Sequence, residues 1–328
     1  MNIQKNVALA QYSTFRIGGP AQYFVEAKTK NELIEAVTWA RQHELPIHIL
    51  GNGSNTLIAD QGVKGLVIRN LTSGVEILDQ TKVSVAPKIR PRFQLVRPDP
   101  NIDDLAYDES KYPPVLVKLD SGVYLPKAIF GLTSQGITGL EWFSGIPATV
   151  GGATYINLHG ANKYWSDYLV EAEIIDQKNR VKTVALEYFG YDYDQSTLKT
   201  SGDVVLSATL QLRRGPAEEA LKIAKFWQAK KSHQPQRSLG CIFQNLSQTE
   251  QKQLNLPTPS IGYLIDKQLN LKGTQIGQAW IPQKHAGFVE NLGGATATQV
   301  LQLIKLVQTK AKEQLGLDLK LEIVPWLN

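Results

Sequence analysis

The chain has one cysteine in 328 residues, which excludes an intrachain disulfide framework and fits a reducing compartment. Histidine is scarce as well. The five, at positions 43, 48, 159, 233 and 285, stand apart with no H-x-x-x-H, and there is no C-x-x-C, so no metal site is expected. No apolar run approaches the roughly 18 residues of a membrane helix, and no basic segment leads into an apolar one at the N-terminus. A cytoplasmic protein without a membrane span is expected. No Lys/Arg run interleaved with aromatics occurs, and the net charge of +5 (35 basic against 30 acidic) is mild. Nucleic acid is therefore not an expected partner, whereas a modest positive field suits an anionic small molecule. G-x-S-x-G is absent, and so is the P-loop lysine, which argues against a nucleotide hydrolase.

Glycine, by contrast, is concentrated. Gly139–Ala153 reads GLEWFSGIPATVGGA, four glycines and one proline in fifteen residues. A helix would not tolerate that much glycine and a strand would gain little from it. Gly145, Gly151 and Gly152 suit a loop whose bare N–H groups face a bulky anion. A second such loop, Gly51-Asn52-Gly53-Ser54-Asn55-Thr56, follows the apolar run Pro46–Leu50. Both loops are read as holding the pyrophosphate and ring system of one large cofactor.

Tyr23–Ala27 reads as a strand, and Thr29-Lys30-Asn31-Glu32 as a capping box opening a helix with Leu33, Ala36, Val37 and Ala40 inward. Ile47–Leu50, Val63–Arg69, Lys82–Ala86, Val115–Leu119, Thr154–Leu158, Tyr168–Asp176, Val181–Leu186 and Val204–Leu212 read as further strands, and Tyr124–Ser134 as a helix. Residues 87–114, with six prolines, read as a surface insertion. Arg213-Arg214-Gly215-Pro216 marks a candidate boundary, giving domains over 1–215 and 216–328. Beyond it, Ala217–Lys231 and Thr296–Leu315 read as helices, and Ile261, Leu264, Ile265 and Leu269 as a third helix face. The last segment, Leu317–Val324, alternates as a strand should. From local sequence alone, Cys241 is either a small buried hydrophobe or a thiol that Gly240 lets a loop present, and Glu322 either a solvated strand residue or a covered one.

STFRIGGPAQYFVEA at 13–27, LGNGSNTLIADQGVKGLVI at 50–68, GLEWFSGIPATVGGATYIN at 139–157, VVLSATLQL at 204–212, SLGCIFQN at 238–245, KHAGFVENLGGATATQVLQLI at 284–304 and the terminal LEI together resemble the UDP-N-acetylenolpyruvoylglucosamine reductase family. The resemblance implies an α+β protein: a vanillyl-alcohol-oxidase-type FAD-binding domain of two subdomains, then a C-terminal α+β substrate domain. It implies FAD held by Gly51–Thr56 and by Gly145, Ile146, Pro147, Thr149, Val150, Gly151, Gly152 and Ala153, with Val205 and Ser207 near the isoalloxazine. No histidine or cysteine lies in either loop, so FAD is expected to be non-covalent.

The implied reaction has NADPH reduce the flavin, which then passes hydride to C3 of the enolpyruvyl ether of a nucleotide sugar while an acid protonates C2. Cys241 stands where the family has a serine proton donor; a thiol of reference pKa near ~8.5 is mostly protonated at neutral pH and can serve. Glu322 matches a terminal glutamate that acts in transition-state stabilisation. The family's arginine for the substrate carboxylate has no counterpart: in Tyr191-Asp192-Tyr193-Asp194-Gln195-Ser196, Asp194 or Gln195 takes its place. Gln244 replaces a frequent lysine, and Arg237 or Lys284 is the expected compensating base. Tyr193, Ser196, Arg237, Gln244, Asn245 and Lys284 form the expected substrate set, and a monomer is expected. The alternatives are a weakened relative that binds without turnover, and a sugar or alcohol oxidase on the same fold.

Overall fold

Alternating apolar residues in Val204–Arg214 build the centre of the largest sheet. In the computed structural model, which describes residues 1–78, 107–161 and 163–327, this strand lies antiparallel between Leu169–Ile175 and Pro114–Asp120. Val181–Ala185 and Val75–Leu78 flank them, and Ile137–Thr138 pairs with the far end of the central strand. Register slips at Leu169/Glu171 and Glu173/Ile174 bend the sheet, as bulges do. The sheet belongs to the first of two compact units, made of Met1, Glu26–His43 and Ile68–Ser232. The expected break at 213–216 falls inside this unit, because the helix Ala217–Ser232 buries Ala220, Ile223, Ala224 and Trp227 in its core. Leu221 is only half-buried.

The same core takes in the helix Leu125–Thr133 and the fully buried rings of Phe143, Trp165 and Phe189. Each such ring stabilises the fold by roughly 1.5–3 kcal/mol relative to leaving it in water. The helix Lys30–Gln42 starts at the expected capping box, with Thr29 and Glu32 exchanging both hydrogen bonds. Lys30 and Lys118 converge on Glu173 at 3.2 and 3.1 Å, and their charges hold its carboxyl low against the burial that raises it.

The second unit comprises Asn2–Val25, Glu44–Val67 and His233–Asn328. In it Gln4–Ala8 pairs antiparallel with the Pro20 end of the strand Pro20–Ala27. Thr56–Ile58 pairs in parallel with Val324–Trp326. The long helix Ala297–Leu315 is capped by Thr296 and Gln299, and buries Val300, Leu303, Ile304, Val307 and Ala311 against Leu239, Phe243, Ile265 and Ile281. Asp60 accepts from Ala297 N at 2.6 Å, Thr298 N at 2.9 Å and Thr298 Oγ1 at 2.7 Å.

Three readings need correction. Thr154–Leu158 is not a strand; Val150–Ile156 is a helix, with Asn157 left-handed at its end. The alternating segment 317–323 buries Leu317, Leu319 and Ile323 as expected, but forms no ladder beyond the single Phe243–Leu321 bridge; the strand is Val324–Trp326. The helix at Ile261 passes after one turn into a wider π turn over Leu264–Gln268. Lys82–Ala86 and most of the 87–114 insertion lie outside the described residues. Its end is a 3₁₀ turn, Glu109–Lys111, and the start of the strand Pro114–Asp120.

Candidate functional site

In the second unit, the loop 51–56 is fixed from two sides. Gly53 has φ +62°, and a Cβ there would lie 2.4 Å from the Tyr12 carbonyl oxygen, so only glycine fits. Its own carbonyl accepts from Thr14 N at 3.1 Å and from the hydroxyls of Ser13 and Thr14 at 3.2 and 3.3 Å. Asn55 joins the loop to the C-terminal segment: its Nδ2 donates to Glu322 O at 3.3 Å, and its carbonyl accepts from Val324 N at 2.8 Å.

Cys241 is half-buried and bridges Phe288. Gly240 before it has φ +82° and open space where a Cβ would be, so the loop turns there as the glycine suggests. Ile242 joins two further segments of this unit: its N–H donates to Gly287 O and its carbonyl accepts from Glu322 N, both at 2.9 Å. Cys241 and Glu322 are thereby carried on neighbouring extended segments, although 317–323 lacks a regular ladder. Gly287 is hemmed in by the site as well; a Cβ there would meet the His285 ring at 3.1 Å and the Cys241 sulfur at 3.3 Å. His285 Nδ1 accepts from Gly287 N at 3.2 Å.

The other expected substrate residues of this unit divide. Asn245 is engaged structurally, its Oδ1 accepting from Ile261 N at 3.0 Å at the start of that helix. Gln244 is half-buried, with its N–H donating to Lys320 O. Arg237 and Lys284 are both exposed. Arg237 has its Nη1 3.8 Å from where a Cβ of Gly293 would stand.

In the first unit, the glycines of 139–153 serve the fold more than the sequence suggests. Gly145 has φ +82° and lies against the helix Ala217–Ser232, where a Cβ would come 2.9 Å from Lys231 Cβ. Gly151 N donates to Ser121 O at 2.7 Å, and Gly152 N to the capping Thr149 Oγ1 at 3.3 Å. Both amides therefore have a partner within the unit. Ile146 and Pro147 shape the turn before the helix Val150–Ile156, which buries its own Val150 and Ala153. Ser121 is in turn fixed by Leu206 O and by Asn70 Nδ2, and Thr72 ties Asn70 to Gly122, a buried polar knot that no sequence pattern announces.

Val205 and Ser207 lie on the central strand, both buried. The Ser207 hydroxyl has no hydrogen-bond partner among the described residues. A buried polar atom left open in this way needs a partner from elsewhere, and the edge of a bound FAD ring system would supply one. On that observation the residues fit FAD.

Tyr193 and Ser196 are brought together with the end of the helix Val150–Ile156: Ser196 Oγ donates to Tyr155 O at 2.5 Å. Between them, Asp194 is only 1% exposed and stands 3.5 Å from His159 Nδ1. His159 is a functional candidate that sequence reasoning passes over as an isolated histidine. The available signal was Asp194 itself, a carboxylate in a slot where a cation is expected.

Nearby, Glu141 is fully buried, accepts from Gly139 N at 2.7 Å and from the Tyr107 hydroxyl, and has its carboxyl pushed up by burial. Among the described residues no helix is long and apolar enough to cross a membrane.

A family model described as the C-terminal domain of UDP-N-acetylenolpyruvoylglucosamine reductase matches residues 232–326, and an FAD binding domain model matches 21–87, which includes the loop 51–56. The UDP-N-acetylenolpyruvoylglucosamine reductase of Chlamydia abortus is 33% identical over 99% of this chain and 95% of its own length. The enzyme of that name from Acaryochloris marina is 34% identical over 98% and 92%. The crystal structure of the Thermus caldophilus reductase superposes with a TM-score of 0.73 at 30% identity, covering 100% of both chains.

Proposed function

Because the chain belongs to the UDP-N-acetylenolpyruvoylglucosamine reductase family, we propose that it reduces the enolpyruvyl group of UDP-N-acetylglucosamine-enolpyruvate to UDP-N-acetylmuramate for peptidoglycan synthesis, with NADPH as the reductant. The observation that carries this reading is the hydrogen bond from Glu322 N to Ile242 O, which sets the two expected catalytic side chains on adjoining segments.

Bound FAD supplies the two-electron relay between NADPH and the enol ether. Gly51–Thr56, the segment 145–153, Val205 and Ser207 would hold it. Cys241 would give its thiol proton to the carbon next to the carboxylate, a role open to a protonated thiol in a loop with glycines at 240 and 287 around it. Glu322 would take part in stabilising the transition state, as the family's terminal glutamate does. Tyr193, Ser196, Gln244 and Asn245 would position the nucleotide sugar. The exposed Arg237 and Lys284 would meet its diphosphate more readily than its enolpyruvyl carboxylate. The enzyme is read as cytoplasmic and monomeric.

The buried Asp194 favours a second reading, a relative that binds the nucleotide sugar but turns it over poorly. One anaerobic experiment separates the two. NADPH is added until the flavin band bleaches, and then the enolpyruvyl substrate. Prompt return of the oxidised spectrum with formation of UDP-N-acetylmuramate is expected. Bleaching that substrate does not reverse would sink the reductase reading and leave the binding one.

A further inference from the structure

In the first unit, the central strand and the helix Val150–Ile156 are both tied to one residue. Ser121 N donates to Leu206 O at 2.9 Å, and Ser121 O accepts from Gly151 N at 2.7 Å. Leu206 precedes Ser207, and Gly151 lies in the segment 145–153, so Ser121 joins two stretches expected to hold FAD. The residue is 1% exposed, and a Cβ at Gly151 would stand 3.0 Å from its own Cβ. Its hydroxyl belongs to the polar knot with Asn70 and Thr72, which are buried as well.

The direction of each hydrogen bond in that knot follows from two backbone amides, which can only donate. Thr72 N donates to Asn70 Oδ1 at 3.1 Å, which makes that end of the Asn70 side chain the amide oxygen. The Thr72 hydroxyl accepts from Gly122 N at 2.9 Å and gives its own hydrogen to Asn70 Oδ1 at 2.9 Å. Asn70 must then turn its NH2 to Ser121, and Nδ2 donates to Ser121 Oγ at 2.7 Å. Ser121 Oγ is the acceptor in that bond. Its own hydrogen has no acceptor among the described residues. A donor buried without a partner is costly, and the cost is relieved when a ligand supplies the acceptor.

Resting on the FAD-dependent reading above, we propose that Ser121 is a further cofactor contact, giving its hydroxyl hydrogen to an acceptor atom of bound FAD. Asn70 is the positioning residue that occupies the Ser121 lone pair and leaves the hydrogen free to turn to the cofactor.

The test strips FAD from the full chain and adds it back. The dissociation constant is read from flavin fluorescence, and the melting temperature of the flavin-free protein is read beside it. Thr154→Val is the control, because the Thr154 hydroxyl is fully spent within the unit: it donates to Val150 O at 2.9 Å and accepts from Trp165 Nε1 at 3.0 Å. Thr154→Val is expected to lower the melting temperature while FAD affinity stays within about threefold of wild type. Ser121→Ala is expected to do the reverse, weakening FAD about tenfold or more while the flavin-free protein melts within about 3 °C of wild type. Asn70→Ala should weaken FAD through the same hydroxyl and add little in the Ser121→Ala background. Unchanged FAD affinity in Ser121→Ala would show that water takes the hydrogen and would overturn the inference. So would a loss of affinity matched by a fall in melting temperature, or full additivity with Asn70→Ala. Should Ser121→Ala fail to fold, Ser121→Cys decides: it keeps an atom of similar size but only a weak donor, and must still bind FAD less tightly than wild type. If the stripped wild-type protein takes up no FAD, the cofactor reading falls and this inference with it; if it takes up FAD and Ser121→Ala does so equally, only the inference falls.

Discussion

A Cβ at Gly53 would stand 2.4 Å from the carbonyl oxygen of Tyr12, and Gly53 is also held at φ +62°. The close approach and the positive φ are two independent demands for glycine at one position. Gly53→Ala must either shift the 12–14 segment or break the three hydrogen bonds that Gly53 O accepts. A destabilisation of about 2–4 kcal/mol is expected. It would be seen as a lowered melting temperature together with reduced flavin content after purification. A variant that melts and retains FAD like wild type would show that the loop can relax.

Glu141 supplies a pH signature. Burial pushes its carboxyl above the usual 4.5, against hydrogen bonds from Tyr107 and Gly139 N that pull it down. A group raised in the folded state contributes stability that is fully present below the unfolded value and is lost as pH rises through the folded one. Glu141→Gln cannot ionise and keeps an acceptor for Gly139 N. The variant should therefore gain on wild type in melting temperature as pH is taken from about 4.5 to about 8. Parallel melting curves across that range would mean that Glu141 takes up its charge without cost.

Several elements were legible because they rest on local chemistry. The capping pairs Thr29/Glu32 and Thr296/Gln299 start helices where the sequence places them, and Leu33, Ala36, Val37 and Ala40 face inward as their spacing requires. Val150–Ile156 was not legible, since Val-Gly-Gly-Ala-Thr-Tyr-Ile has poor helix propensity. Its helix exists because Thr149 caps it and because Val150, Ala153 and Thr154 are buried, a case of packing overriding propensity. The segment 317–323 shows the converse: its alternation reports which side is buried, but not whether a neighbouring strand completes a ladder. The two glycine loops were found from composition. That Gly145 also makes room for a helix depends on Lys231, far along the chain. The His159–Asp194 pair was hidden for the same reason, since neither residue carries a local pattern and the turn at Asp192–Gln195 brings them together only in the fold.

Asp60 bears the opposite pH sign to Glu141. Partial burial raises its carboxyl, but the hydrogen bonds from Thr298 and Ala297 outweigh that and leave it below the usual 3.8. Its contribution is then present above the unfolded value and lost as pH falls through the folded one. Asp60→Asn turns an amide N–H toward N–H groups of the helix start. A loss of about 1 kcal/mol at neutral pH is expected, kept small by the exposure of the residue, and it should shrink as pH drops below about 3.8. A constant difference at all pH values would assign the effect to shape rather than charge.

Cys241 offers the sharpest division between the two halves of the reaction. If its thiol is the proton donor, then Cys241→Ala should let NADPH bleach the flavin at the wild-type rate while slowing the return of the band on adding the enolpyruvyl substrate by about 10²–10⁴-fold. Cys241→Ser keeps a donor of similar size in the same loop and should retain much of the second step. Gly287→Ala provides a check that does not touch the thiol chemically: its new methyl group would stand 3.3 Å from the sulfur and 3.1 Å from the His285 ring, so it should displace the thiol and slow the second step alone. Slowing of both steps alike by Cys241→Ala would point to damage of the flavin site. Unchanged turnover in that variant would remove Cys241 from the reaction and return it to the role of a small, half-buried side chain bridging Phe288.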